Sequence, residues 1–341
     1  MILITFGTRP EFIKVKPLID ILEENNVKYK TLFTGQHIDL LKASDVDYKI
    51  TISVTNMNRL DAIVGAVSGN QDLWSILNSP LTKDKITHVL VQGDTTSALA
   101  IALSAFHNKV KVIHLESGLR TYNNQNPYPE EVNRRLISQI ANIHLCPTME
   151  NKFNLVNEKI LGEKYVIGNT SIDNLVEYKD KCEYTNKILI TLHRRENHKE
   201  MNLWFKEVND LAKEYNEYDF ILPLHPNPNV QKYRDLLTNI KVIEPLSHNE
   251  LLDILVKTRL VISDSGGLQE ECSYFNKKIL VCRKVTERSE VVGKSSFLVK
   301  KPKDLNKIFK EHIDNYIVDY KCPYGDGNSA NKILKIFNEI E

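Results

Sequence analysis

Eleven short apolar runs punctuate this chain, at residues 2–6, 30–34, 88–91, 110–115, 143–146, 165–167, 187–191, 220–224, 241–243, 260–263 and 279–282. β-branched residues crowd consecutive positions in them without strict in–out alternation, which is the pattern of strands covered on both faces. The gaps leave room for a helix, so strand and helix alternate, the sheets are parallel and the fold class is α/β. At 341 residues the chain exceeds one ordinary core and suits two domains of roughly 150 residues each. The polar stretch 168–187 is the best linker, which sets domains at 1–170 and 171–330. Residues 38–85 contain helical pieces and no chemistry that can be named.

Charge and cysteine content narrow the function. With 45 basic against 44 acidic side chains the net charge is +1, so no global field would hold a nucleic acid, and any anion must be bound locally. The five cysteines, Cys146, Cys182, Cys272, Cys282 and Cys322, are far apart and form no Cys-x-x-Cys pair. That argues against a disulfide scaffold or zinc site and for a reducing, cytoplasmic compartment. The apolar start at residues 1–6 lacks a basic leader and stops at Gly7, too short for a signal peptide. No run approaches the ~18 apolar residues of a membrane span, so no membrane partner is expected.

In parallel α/β folds ligands lie outside the carboxyl ends of the strands, and the polar motifs of this chain fall there. Gly7 ends the first run and Pro10 suits a first helical turn. Arg9 then faces the crevice, with Lys14 about one turn on, close enough to share a phosphate or carboxylate. The absence of Gly-x-Gly-x-x-Gly counts against a nicotinamide dinucleotide. In Asp264-Ser265-Gly266-Gly267 the paired glycines would let the backbone approach a diphosphate at a helix N-terminus. Glu271, a turn later, can accept from ribose hydroxyls, and Arg288 can neutralise a phosphate oxygen.

Three carboxylates, Asp94, Glu116 and Glu130, follow strands of the first half. Acids at adjoining strand ends can converge and supply an acid and a base. His193 and His225 follow strands of the second half, and histidine titrates near neutral pH. Their spacing lacks a helical His-x-x-x-His or paired-ligand pattern, so no metal is expected. The basic stretch 300–310 reads as a solvated helix start.

Taken together the motifs closely resemble the non-hydrolysing UDP-N-acetylglucosamine 2-epimerase family. They read Gly7-Thr8-Arg9-Pro10-Glu11, Thr34-Gly35-Gln36-His37, Gln92-Gly93-Asp94-Thr95-Thr96, Glu116-Ser117-Gly118-Leu119-Arg120, Pro129-Glu130-Glu131, Gly168-Asn169-Thr170, His193-Arg194-Arg195-Glu196-Asn197, Ser265-Gly266-Gly267 through Glu271, and Thr286-Glu287-Arg288. The resemblance implies two Rossmann-like domains facing a central cleft, GT-B-like, with a final helix at 331–341 packing back on the first. It implies no cofactor, a UDP-sugar substrate, a homodimer, and a role in supplying surface polysaccharide precursors. Asp94, Glu116, Glu130 and His193 would be catalytic; Arg9, Lys14, His225, Ser265, Gly266, Gly267, Glu271 and Arg288 would bind substrate.

This chain departs from the family's pattern in places. Arg288-Ser289-Glu290 stands where Arg-Pro-Glu is usual, and Cys272-Ser273 where Ala-Pro is. The loop at 121–128, beside Glu130, is also different, which leaves the sugar substituents less constrained than the reaction. Some members bind a second UDP-sugar as activator; between residues 58 and 71 the only basic residue here is Arg59. The competing readings are a 2-epimerase of another UDP-2-acetamido sugar, a GT-B glycosyltransferase and a UDP-sugar sensor.

Overall fold

The structure, a computed structural model, describes residues 1–35, 46–50, 77 and 85–340. Gln36, His37, Arg59 and most of the stretch 38–85 lie outside the described residues. The chain forms two compact units, Met1–Asn174 with Gly325–Glu341, and Leu175–Tyr324.

Unit 1 is a seven-stranded parallel sheet built from β1 (Ile2–Phe6), β2 (Tyr29–Phe33), β3 (Tyr48–Lys49), β4 (His88–Gln92), β5 (Lys111–Leu115), β6 (Ile143–Cys146) and β7 (Glu163–Val166), in the order β3-β2-β1-β4-β5-β6-β7. Its strands bury both faces. Leu3, Val89, Val91 and Val112 point into one core with helices α2 (Thr96–His107) and α3 (Glu130–Ile140), and α4 (Met149–Asn157) follows β6. Ile2, Ile4, Phe6, Leu90, Ile113 and Leu115 point into the other with α1 (Arg9–Glu24). Neighbours along a strand face opposite ways, so continuous apolar runs are what a sheet covered twice requires.

Unit 2 is a six-stranded parallel sheet of β8 (Lys187–Thr191), β9 (Asp219–Pro223), β10 (Lys241–Ile243), β11 (Thr258–Ser263), β12 (Lys278–Val281) and β13 (Ser296–Leu298), ordered β10-β9-β8-β11-β12-β13. Trp204, Phe205 and Val208 of α5 (Met201–Glu214) and Phe309 pack on Ile188, Ile190, Ile262 and Leu280. All eleven apolar runs are strands, with ends displaced by a residue or two. The two further strands, β3 and β13, are edge pieces of two and three residues.

The stretch expected as a polar linker is partly ordered. It holds a helical turn at Thr170–Asp173 and a 3-10 segment at Val176–Lys181, because Ile172 and Leu175 are fully buried. The last helix begins at Ser329, two residues before the expected start, and ends at Ile340. Asp173 fixes that beginning by accepting from the backbone N–H groups of Ser329 at 3.0 Å and Ala330 at 2.7 Å. Among the described residues no helix is long and apolar enough to cross a membrane.

Helix α1 contains an interruption with its own repair. Its start is a capping box, Thr8 accepting from the Glu11 N–H and Glu11 from the Thr8 N–H. Pro17 then lies in its interior, and a proline cannot donate to the carbonyl four residues back. That carbonyl belongs to Ile13, and Asn174 Nδ2 donates to it at 2.9 Å. Asn174→Ala should therefore cost about 1 kcal/mol of stability. The loss should shrink in a Pro17→Ala background, where a restored N–H takes over Ile13; a double-mutant cycle in urea measures the difference. An equal loss in both backgrounds would separate Asn174 from the helix break.

Candidate active site

In each sheet the strand order reverses direction at one place, between β1 and β4 in unit 1 and between β8 and β11 in unit 2. Such switch points open the crevice where α/β folds take ligands. In both units a buried carboxylate ties the two loops that flank the switch.

In unit 1 that carboxylate is Glu11. It accepts from the backbone N–H groups of Gly7 and Thr8, both at 2.7 Å, and from the Thr95 hydroxyl at 2.5 Å. Burial pushes its pKa up, against those hydrogen bonds. Arg9, at the exposed start of α1, is presented by this loop.

Glu116 follows β5 with φ +66, a left-handed conformation uncommon for a residue with a side chain. Its Oε2 accepts from Lys14 Nζ at 2.5 Å and Gln92 Nε2 at 2.5 Å, and Asn169 Nδ2 lies 3.5 Å from Oε1. Lys14, expected to share a phosphate or carboxylate with Arg9, pairs in the structure with Glu116, itself a candidate acid/base group. Beneath it, His114 Nε2 donates to the Gly93 carbonyl at 2.8 Å, on the loop that carries Asp94.

Asp94 is gripped through Oδ2 by both Arg134 Nε, at 2.9 Å, and Arg134 Nη2, leaving Oδ1 outside the ion pair. Arg134 also donates to the fully buried Glu131 at 3.0 Å, and Asn133 Nδ2 donates to the Asp94 carbonyl at 2.9 Å. These three residues lie in the first turns of α3, which Glu130 opens. Glu130 is one turn before Arg134, on the same helix face. Asp94 and Glu116 therefore follow the adjacent strands β4 and β5, and Glu130 opens the helix that Asn133 and Arg134 tie to Asp94. Glu131 orients the adjoining loop by accepting from the N–H groups of Thr121 at 3.0 Å and Tyr122 at 3.1 Å.

In unit 2 the tie is Asp264, which is fully buried. It accepts from the backbone N–H groups of His193 at 3.0 Å and Arg194 at 2.9 Å and from Asn197 Nδ2 at 3.0 Å. The His193 ring has Nδ1 3.6 Å from Asp264 and stacks on His225, centroids 5.1 Å apart and 10° from parallel. Burial holds His193 below the usual imidazole pKa, against the pull of Asp264. His225 is lowered by burial and by His193, and its Nδ1 accepts from the Asn227 N–H. Both rings are thereby inclined to be proton acceptors at neutral pH.

Helix α7 (Gly266–Tyr274; α6 is His248–Leu255) opens with Ser265 as N-cap. Its two glycines do different jobs. A Cβ on Gly266 would lie 2.8 Å from Arg288 Nη1 and 3.1 Å from Glu287 Oε1, whereas on Gly267 the nearest atom would be Ser265 Oγ at 4.0 Å. A Cβ on Gly266 would thus meet the Arg288 guanidinium, whereas one on Gly267 would face open room. Arg288 itself is buried between Glu270, at 2.8 Å, and Glu287. Both carboxylates thus meet the guanidinium charge within the protein. Glu271 accepts from His248 Nε2 at 3.0 Å.

Residue type and spacing named the acids Asp94, Glu116 and Glu130, both histidines and the Gly-Gly helix start as candidates. They gave no role to Glu11, Gln92, Arg134, Asn169, Asp264, His248 and Glu270, whose contacts the structure shows. All but His248 lie inside recognisable motifs, so proximity to a motif was the available signal.

The fold and its strand-end sites define a class, the α/β enzymes built of two Rossmann-like parallel sheets. Comparison with known proteins narrows this. Residues 20–338 match the model of the UDP-N-acetylglucosamine 2-epimerase family. A UDP-N-acetylglucosamine 2-epimerase of Campylobacter jejuni is 38% identical over 98% of this chain and 96% of its own length. The enzyme of that name from Neisseria meningitidis serogroup A is 35% identical, covering 98% of each. The crystal structure of the Neisseria meningitidis UDP-GlcNAc 2-epimerase bound to UDP-GlcNAc superposes with TM-score 0.87 at 35% identity over 99% of both chains. The Methanocaldococcus jannaschii UDP-GlcNAc 2-epimerase in complex with UDP-GlcNAc and UDP gives 0.81 at 27% identity, again over 99% of both chains. The chain belongs to the UDP-N-acetylglucosamine 2-epimerase family, a family of isomerases with a GT-B-like fold.

Two outcomes are expected from this geometry. Gly266→Ala should cost about 1–3 kcal/mol, because the two carboxylates hold the guanidinium in place, while Gly267→Ala should be neutral or slightly stabilising; thermal or urea unfolding compares them. Burial lowers His114 to about 3 and His144 to about 4 from 6.5. The folded state thus refuses protons that the unfolded chain takes up below pH 6.5. Stability is full above that pH and falls toward pH 3–4 by up to about 1.4 kcal/mol per pH unit for each histidine. His144→Gln should flatten the dependence measured by urea unfolding between pH 7 and 5.

Proposed function

We propose that the protein interconverts UDP-N-acetylglucosamine and UDP-N-acetylmannosamine without hydrolysis, providing precursor for a surface polysaccharide. The observation that carries the reading is the pair of acids that follow β4 and β5, Asp94 and Glu116, each oriented by a named partner, in a chain of this family.

The sugar's C2 proton has no adjacent ketone, so removing it alone would leave a free carbanion of prohibitive energy. Removing it while the C1–O bond to UDP breaks sends the electron pair into a C1=C2 bond, giving a 2-acetamidoglucal and UDP. Return requires a proton delivered to C2 on the opposite face and re-formation of the C1–O bond. Inversion therefore needs proton-transfer groups on both faces. Asp94, Glu116, Glu130 and His193 are the candidates in this proposal. Lys14 and Gln92 orient Glu116, and Arg134 orients Asp94. Arg9, Lys14 and His225 are further substrate contacts.

Unit 2 would hold UDP. Ser265 and the open backbone at Gly267 supply N–H groups at a helix start, where anionic charge is favoured, and Glu271 takes the ribose. Gly266 and Arg288 are further candidates at the diphosphate, and Arg288 would also fix the α7 start by lying against Gly266. Gly267→Ala is then expected to weaken UDP binding about tenfold with stability intact, read by titration calorimetry.

Incubation with UDP-N-acetylglucosamine in heavy water, followed by NMR, tests the reaction. Deuterium at C2 with UDP-N-acetylmannosamine is the expected result; free N-acetylmannosamine would mean hydrolysis, and an unchanged sugar would refute the reading for this substrate. Asp94→Asn and Glu116→Gln should each lower turnover at least ~100-fold. A second reading, a 2-epimerase of a UDP-2-acetamido sugar with other substituents, is favoured by the loop beside Glu130. It exposes Tyr122 and Tyr128, and the same assay with other UDP-2-acetamido sugars distinguishes it.

A further inference from the structure

Helix α6 begins at a capping box. Ser247 Oγ accepts from the Glu250 N–H, and Glu250 Oε2 accepts from the Ser247 N–H at 2.7 Å. His248 is the first residue of that helix, so its backbone is fixed by the cap. Its ring is largely enclosed, with 21% of the side chain exposed, and its Nε2 donates to Glu271 Oε1 at 3.0 Å. Glu271 lies on α7, within two turns of Ser265. Helix α6 follows β10 and α7 follows β11, so both begin at the carboxyl-end rim of the same sheet.

The two oxygens of Glu271 are treated differently. Oε1 is met by His248, whereas Oε2 is buried and has no hydrogen-bond partner. A buried carboxylate oxygen without a donor is unfavourable, and a hydroxyl arriving beside it would remove that penalty. A histidine bound to one oxygen also fixes the plane of the carboxylate and so the direction of the other. The side chain would otherwise rotate about its terminal torsion, which is broad for Glu.

We propose that His248 is a positioning residue for nucleotide recognition: by holding Oε1 of Glu271 it aims Oε2 at the ribose hydroxyls of a uridine diphosphate. The inference rests on the nucleotide reading of unit 2. It makes His248 a source of selectivity for a ribose bearing hydroxyls, acting through Glu271 and not by touching the nucleotide.

The test is titration calorimetry of the full chain with UDP and with 2′,3′-dideoxy-UDP, which lacks both hydroxyls. The wild type should prefer UDP by about tenfold or more, as expected for hydrogen bonds to a charged group. His248→Ala should reduce that preference below about threefold, chiefly by weakening UDP, and leave binding of the dideoxy nucleotide unchanged. His248→Gln, whose amide can donate from nearly the same place, should restore most of it. A thermal unfolding midpoint for each variant separates this from loss of fold, which would weaken both nucleotides alike. Full preference in His248→Ala would overturn the role of His248 while leaving the nucleotide site standing. Equal binding of both nucleotides by the wild type would overturn the ribose contact and this inference with it. No binding of either would overturn the reading of unit 2 as a UDP site.

Discussion

Among the described residues, four carboxylates each accept two consecutive backbone N–H groups. Glu11 holds Gly7 and Thr8, Glu131 holds Thr121 and Tyr122, Asp173 holds Ser329 and Ala330, and Asp264 holds His193 and Arg194. Parallel strands end in loops whose amides have no strand to bond, and burying such amides unpaired would be costly. A carboxylate with two acceptor oxygens answers two of them at once, and charge-assisted bonds are the stronger kind. The loops so fixed carry Arg9, His193 and the approach to Glu130, so the position of the candidate reactive groups depends on acids that do not react.

The ionic arrangement around α7 follows from the same economy of burial. Arg283 and Arg288 are both enclosed, and Glu287 joins them, with Glu196 on the outer side of Arg283 and Glu270 on that of Arg288. Removing any one member would strand a buried charge, a larger penalty than the pair's net contribution. The chain thereby locks the loops after β8 and β12 to the helix start on which the nucleotide reading rests. Gly266 belongs to this packing, since only a residue without a Cβ lets the guanidinium come so close.

Much of the architecture is readable in the amino-acid order because both sheets are covered twice. Residues such as Leu3 and Ile4 face opposite cores, so a strand appears as an unbroken apolar run. The strand-end motifs are readable because polar residues directly after such runs have few places to go. What is not readable is pairing at long range: Lys14 meets Glu116 across 102 positions, Arg134 meets Asp94 across 40, and His248 meets Glu271 across 23. Nor does residue type tell a supporting acid from a reactive one. Glu130 and Glu131 are adjacent and chemically alike, yet the helical turn sends Glu131 into full burial against backbone amides and leaves Glu130 half-buried.

The final helix, Ser329–Ile340, contributes Ile333, Ile336 and Phe337 to the same core as Val15, Leu18 and Leu22 of α1. Those partners are separated by some three hundred positions, with all of unit 2 made in between. As the polypeptide emerges from a ribosome, the first sheet must wait with an apolar surface uncovered until this helix arrives. One half of the molecule is thereby sealed only after the other has been made.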